Sequence, residues 1–231
     1  MNSTVYDAFR CLNLLATATR PHGIREMGRE LGLDSAKVTR LIQTLLTLDM
    51  VQRDANRKYS LGIGIHRLSA HAIHNSAFYN AVMDLLEESG NHAISIVIGV
   101  LSGNKVVYLI HTRGGKSIAR AIGNYESYPV HDSVIGIKLL SAMSDEEIIS
   151  QIGIHDYQLL RNDIDESRRH QVFAKNFGAG DYRLACNIPG MQAAIALSNI
   201  SSEKMDIESL RLYLTSAAKK ISGESLPMLQ Q

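Results

Sequence analysis

Ile24-Arg25-Glu26-Met27-Gly28-Arg29-Glu30-Leu31, a junction at Gly32-Leu33-Asp34, and then Ser35-Ala36-Lys37-Val38-Thr39-Arg40-Leu41-Ile42-Gln43-Thr44-Leu45-Leu46-Thr47-Leu48 decide how the first third of the chain folds. The first run is helical in pattern and stops at Gly32, a residue suited to a left-handed helix end. A second helix starts after Asp34 or Ser35, since either side chain can cap it. Its apolar residues recur at Val38, Leu41, Ile42, Leu45 and Leu48, the spacing of a helix with one buried face. Lys37, Thr39, Arg40, Gln43 and Thr44 fall off that stripe and form the exposed side. Only about three residues join the two helices, so the pair reads as a helix-turn-helix.

The flanks agree with that reading. Upstream, Val5, Ala8, Phe9, Leu12 and Leu15 make an amphipathic stripe that ends before Arg20-Pro21-His22-Gly23, where a proline and a glycine impose a loop. Downstream, Met50–Arg53 and Lys58–Leu61 are short strand patterns around a polar turn at Asp54-Ala55-Asn56-Arg57, which predicts a hairpin. Three short helices followed by a basic-tipped hairpin have the order of a winged helix-turn-helix, assigned to residues 1–61. Residues 62–75 read as a linker helix, with a polar break at Asn75-Ser76.

Residues 76–231 predict a second domain of the α+β class. An apolar stripe at Val82, Leu85 and Leu86 precedes strand patterns at 93–101, 105–111 and 116–122, joined by short Gly-containing turns. Helices are expected at 134–143, 144–152 and 166–175, strands at 183–188 and 192–199, and a last helix at 205–221. No regular strand–helix–strand alternation is present, so a dinucleotide fold is not indicated.

Composition sets the class. The 231 residues are 45% hydrophobic and 20% charged, which is ordinary globular usage. No apolar run approaches the roughly 20 residues of a membrane span, and no secretory pattern opens the chain, so a soluble cytoplasmic protein is expected. The net charge of +1 is divided unevenly. Residues 1–75 hold ten Lys/Arg against six Asp/Glu, a balance of +4, whereas 76–231 hold fourteen against seventeen, a balance of −3. The basic part therefore coincides with the helix-turn-helix, as a phosphate-facing surface requires. Cys11 and Cys186 have no partners at disulfide-framework or zinc-finger spacing.

In order and spacing, several segments together resemble the IclR family of bacterial transcription regulators over nearly the whole chain. They are Gly32 to Leu41, Arg53-Asp54 through Tyr59-Ser60-Leu61-Gly62, Lys105-Val106-Val107-Tyr108-Leu109, Pro129-Val130-His131-Asp132-Ser133-Val134-Ile135-Gly136, Cys186, and Ala194 to Ser198. The resemblance implies an N-terminal winged helix-turn-helix, a linker helix, and a C-terminal effector-binding domain with a curved antiparallel sheet flanked by helices, GAF/profilin-like. It further implies assembly as homodimers or dimers of dimers; a nucleoid-associated regulator on operator DNA, a repressor, is expected.

The DNA face is assigned to Ser35, Lys37, Thr39, Arg40, Gln43 and Thr44, which supply base-edge donors and phosphate ligands, together with Arg57 and Lys58 at the hairpin tip. In the second domain the start of the helix after Ser133 offers amides around Val134, Ile135 and Gly136 to an anion. The resemblance adds His131, Asn176, Cys186 and Ser198 to that pocket. The sequence departs from the family pattern at Ala196, where a serine is replaced, and at Asn176, where the family is frequently acidic. Cys186 equally suits a packing role. The effector expected is a small anionic or polyhydroxylated metabolite, such as an organic acid or sugar acid.

Enzyme signatures are lacking. No Walker loop, dinucleotide fingerprint, His-Glu-x-x-His or Gly-x-Ser-x-Gly is present, and the Gly62/Gly64 and Gly178/Gly180 pairs are isolated. No cofactor and no metal are expected. His66, His71 and His74 spread by roughly 140° and then 60° around a helix, unlike ligands of one ion. Two alternatives stand beside the regulator: a winged-helix module used only for protein contacts, and a Cys186-dependent hydrolase.

Overall fold

The computed structural model describes residues 2–89, 94–113, 121–178, 181–201 and 206–223. The chain divides into two compact units, Met1–Ser76 and Ala77–Gln231.

The first unit contains α1 (Ser3–Thr17), α2 (Ile24–Leu31), α3 (Ser35–Thr47), the hairpin β1 (Val51–Arg53) and β2 (Tyr59–Leu61), and α4 (Ile63–His74). The N-terminal cap of α3 is Asp34, whose carboxylate accepts from the Lys37 amide at 2.8 Å. Gly32 closes α2 in the left-handed region at φ 64°. Gly28 permits the tight turn, because a Cβ there would lie 2.8 Å from the Leu33 carbonyl oxygen. The core gathers Cys11, Leu15, Met27, Val38, Leu41, Ile42, Leu45, Val51 and Tyr59. The α3 stripe therefore packs as its spacing predicts, except that Leu48 is exposed.

The buried face of α1 keeps Ala8, Leu12 and Leu15 of the expected stripe but is turned from the rest of it: Asp7 and Cys11 point inward, while Val5 and Phe9 are exposed. The cause is electrostatic: Asp7 faces the core because Lys37 of α3 and Arg10 hold its carboxylate at 2.5 and 3.0 Å. The hairpin pairs Val51 with Leu61 and Arg53 with Tyr59. Outside it, His22 joins Tyr59 by two main-chain hydrogen bonds of 2.9 and 2.8 Å, so the α1–α2 loop adds a one-residue bridge to the free edge of β2.

The second unit contains α5 (Ala77–Ser89), β3 (Ser95–Ser102), β4 (Lys105–His111), β5 (Ile122–Pro129), α6 (Val134–Leu140), α7 (Asp145–Ile152), α8 (Ile154–Arg169), β6 (Val172–Asn176), β7 (Asp181–Asn187), β8 (Ala193–Ser201) and α9 (Ile207–Ser222). Six antiparallel strands run in the order β5-β4-β3-β8-β7-β6. One face packs on α5 and α9, through Val82, Leu86, Leu214 and Ala218. The other packs on α6, α7 and α8, through Ile135, Ile148, Ile164 and Phe173. Every residue of α6 is buried, and Gly136 is obligatory there, because a Cβ would lie 2.6 Å from the Val130 carbonyl oxygen. Buried Lys138 donates to the Ser167 and His170 carbonyls at 3.1 and 2.7 Å, closing the C-terminal end of α8 where a cation opposes the helix dipole.

Two expectations change. The helix predicted for 166–175 ends at Arg169, and β6 follows it. Val172 and Phe173 are paired across from Cys186 and Ala185, and they enter opposite cores, as alternation in a strand requires. The strand predicted for 116–122 falls mostly outside the described residues; the strand observed spans Ile122–Pro129. Among the described residues no helix is long and apolar enough to cross a membrane.

Candidate nucleic-acid interface and ligand cavity

On α3, Ala36, Arg40, Gln43, Thr44 and Thr47 form one exposed stripe opposite the core face. Arg40 and Gln43 have no intramolecular side-chain partner among the described residues, so their donors point to solvent. Ser35 is exposed at the helix start. The Thr39 and Thr44 hydroxyls donate back to the Ser35 and Arg40 carbonyls at 2.7 and 3.1 Å, so each is partly engaged. Lys37 sits differently. It lies on the flank of α3 that meets α1, with its ammonium on Asp7, and that hydrogen bond is the largest of the effects holding the Asp7 carboxyl below its ordinary range.

The wing tip is a built turn. Asp54 accepts from the amides of Asn56 and Lys58 at 2.9 and 2.8 Å, and Arg57 takes the left-handed conformation at φ 60°. Arg57 and Lys58 are exposed there, and Arg53 lies 5.7 Å over the Tyr59 ring. These side chains make the hairpin cationic, as Arg40 does the exposed stripe of α3.

In the second unit a cavity of about 390 Å³ opens on the α6 face of the sheet. Its apolar wall is Val97, Val134, Ala196 and the rings of Tyr108 and Tyr128; its polar wall is His111, Arg113, Asp132, Arg183, Ser198 and Asn199. Behind the opening, Glu126 accepts from His111 Nδ1 at 2.8 Å, Arg113 at 2.6 Å and the Tyr128 hydroxyl at 3.0 Å. Burial raises the Glu126 carboxyl, but the hydrogen bonds from His111 and Tyr128 and the charges of His111 and Arg113 outweigh it and hold the group below its ordinary value. Arg183 lies 4.3 Å over Phe177, with Asp181 on its Nε and Nη2. Tyr108 packs against Tyr128 at 4.9 Å and donates to or accepts from Ser133 at 3.2 Å. Burial is the main reason its phenol is pushed up, so it stays a neutral hydroxyl.

Of the pocket residues expected from sequence, Val134 and Ser198 reach this cavity. Ile135 and Gly136 are buried inside α6, and Ser133 caps it, accepting from the Gly136 amide at 3.4 Å. One amide of the helix start is thus taken by its own cap. His131 is exposed in the short 3-10 turn before α6, beside Asp132. Asn176 is exposed at the end of β6, and its Oδ1 accepts from Gly178 at 2.9 Å. Cys186 pairs across from Ile195, and Ala185 from Ala196. Alternation therefore turns Cys186 to the α9 face, away from the cavity. There, burial pushes its thiol up.

Tyr108, His111, Arg113, Tyr128 and Arg183 were not singled out by sequence. Plain alternation puts residues 108 and 111 on opposite faces. A β-bulge between Tyr108 and Ile110 inserts one residue and brings both to the cavity. Arg183 had a legible signal, being one strand step of two from Ala185.

A family model described as the IclR helix-turn-helix domain matches residues 8–55. No curated protein sequence matches the chain. Solved structures do. An ICLR transcriptional regulator from Silicibacter is 20% identical, with 97% of this chain and 98% of that one covered and a TM-score of 0.76. One from Alicyclobacillus acidocaldarius is 21% identical over 98% and 100%, with a TM-score of 0.70. An IclR homolog from Microbacterium hydrocarbonoxydans, solved with 4-hydroxybenzoate, is 20% identical over 96% and 98%, with a TM-score of 0.61. Residues 8–55 are thus an IclR helix-turn-helix domain, and the chain as a whole has the two-domain α+β fold of IclR-family transcriptional regulators.

Proposed function

We propose that the protein is a sequence-specific DNA-binding repressor whose operator affinity is set by a small aromatic or planar carboxylate held in the second unit. The observation that carries this reading is the cavity wall: two tyrosine rings beside two guanidinium groups. Rings take a planar body, and arginine's fork of donors takes a carboxylate. The volume falls within the usual roughly 300–1,000 Å³ of small-molecule sites. A 4-hydroxybenzoate complex of a similar structure supports the same class. DNA is read by Arg40, Gln43, Thr44 and Ser35, with Arg57 and Lys58 on the backbone.

The protein binds rather than turns over its ligand. Cys186, the nucleophile considered for a hydrolase, faces away from the cavity and has a raised thiol pKa, the reverse of what attack requires. It works as a homodimer, or a dimer of dimers, in the cytoplasm on the nucleoid, since two reading heads multiply discrimination. The ligand acts by favouring one of two arrangements of those heads. Sedimentation at operator-binding concentration is expected to give a dimer or larger, and a monomer removes this part.

The test combines operator retention with ligand stabilisation. Genomic fragments selected by the protein are expected to share a site and to lose affinity steeply with salt. A thermal-shift panel is expected to single out carboxylates with a ring, because a bound ligand raises apparent stability by mass action. Ser198→Ala is then expected to weaken that ligand by a hydrogen bond's worth, roughly 0.5–3 kcal/mol, with ligand-free operator affinity unchanged. An unchanged ligand midpoint in Ser198→Ala places the ligand elsewhere.

A further inference from the structure

In the first unit, away from the exposed stripe of α3, His22, Glu26 and Glu30 bring one ligand atom each within 4.8 Å of one another. The sequence spacing explains the grouping. Glu26 and Glu30 are four apart on α2 and so share a face, and His22 stands four before Glu26, at the loop that leads into the helix.

The imidazole is set up as a ligand. Its side chain is nine-tenths buried. Nδ1 lies 2.9 Å from the Arg20 carbonyl, which only accepts, so Nδ1 carries the proton and donates. In the neutral ring the lone pair is then on Nε2, the arrangement that a backbone carbonyl imposes on metal-bound histidines. Nε2 has no hydrogen bond among the described residues. It points at Glu30 Oε1, 3.6 Å away. That separation is close to the roughly 3.3–3.5 Å between two ligands on one tetrahedral ion with bonds of about 2.0–2.2 Å. Glu30 makes no other side-chain hydrogen bond or ion-pair contact among the described residues, although the Arg20 charge acts on it as well as on Glu26.

Glu26 is occupied by a cation already. The Arg20 guanidinium grips both of its oxygens, and the Gly23 amide donates to one at 3.3 Å. These contacts hold the Glu26 carboxyl down to about 2, the Arg20 hydrogen bond contributing most. Arg20 is more than half exposed, so water is available to it if it leaves.

We infer that His22, Glu26 and Glu30 form a site for a divalent transition-metal ion, Zn²⁺ or a first-row neighbour, with Arg20 as the resident cation that the metal displaces or shares Glu26 with. One nitrogen and two carboxylates favour such an ion over Mg²⁺ or Ca²⁺, which take oxygen ligands. Because His22 is the residue bonded through its backbone to Tyr59, an ion here ties α2 to the edge of the wing.

The experiment uses the full chain, stripped with a chelator and titrated with ZnCl₂ against a colorimetric competitor. One Zn²⁺ per chain is expected to bind with a rise in melting temperature. Glu30→Gln is expected to weaken that binding about tenfold or more, and His22→Gln to abolish it. Arg20→Ala is expected to tighten it several-fold, because the competing cation is gone; loss of an ordinary salt bridge predicts no such gain. Glu30 lies on the exposed rim, so Glu30→Gln decides the matter even if His22→Gln does not fold. Wild-type protein that takes up no Zn²⁺, Glu30→Gln protein that binds as tightly as wild type, or displacement by a 100-fold excess of Mg²⁺ overturns the inference.

Discussion

Arg40→Ala is expected to lower operator affinity by about 1–3 kcal/mol, roughly 5- to 150-fold at fixed salt, with folding intact. Arg40 is exposed on α3 and has no side-chain partner among the described residues, so its removal leaves none of their buried groups unsatisfied. Lys37→Ala makes the contrast, although it lies three residues away on the same helix. It strips Asp7, which is only 5% exposed, of its closest cation, and its main effect is expected on melting temperature. Fluorescence anisotropy on the selected operator, paired with thermal melts, separates the two. If Arg40→Ala binds as wild type while Lys37→Ala alone loses DNA, the reading face has been assigned to the wrong flank of α3.

Phe173→Ala is expected to cost the second unit about 3–5 kcal/mol, since the ring is among the largest fully buried side chains and its removal leaves a cavity between the sheet and its helices. Leu159→Ala serves as the control. That leucine is 69% exposed on α8, and its loss is expected to stay within about 0.5 kcal/mol. Denaturant unfolding monitored on both variants gives the comparison. Equal, small shifts in the two midpoints are incompatible with the packing described for β6.

Phe173 also shows where reading the sequence succeeds and where it stops. The helix-turn-helix was legible because its signals are local: the α3 stripe, Gly32 and the Asp54–Arg57 turn each act within a few residues. β6 was not, because five residues hold too few alternations to outweigh the helical run before them, and its pairing with β7 is a tertiary fact. The face of α1 was legible only in part, at Ala8, Leu12 and Leu15, for a related reason. Hydrophobicity alone selects Val5 and Phe9, whereas the charge on Lys37, thirty positions away, selects Asp7. In the ligand cavity Ser198 and Val134 were within reach of the resemblance. His111 was not, since one bulged residue in β4 brings it to the face of Tyr108; Tyr128 and Arg183 reach the cavity from β5 and β7, whose neighbours across the sheet are set by tertiary pairing.

The strand order has a consequence in time. β3-β4-β5 and β8-β7-β6 are two local meanders, in each of which strands that follow one another in the chain pair side by side. They meet at β3 and β8, where Ser95 pairs with Ser198, 103 positions later. Closing so long a loop costs entropy before any contact repays it, and pairings of this kind are the slow ones. Val97 on one side of that seam and Ala196 and Ser198 on the other are both walls of the cavity. The cavity therefore needs the β3–β8 pairing to exist at all, whereas the helix-turn-helix unit, built from contacts within residues 1–76, does not wait for it.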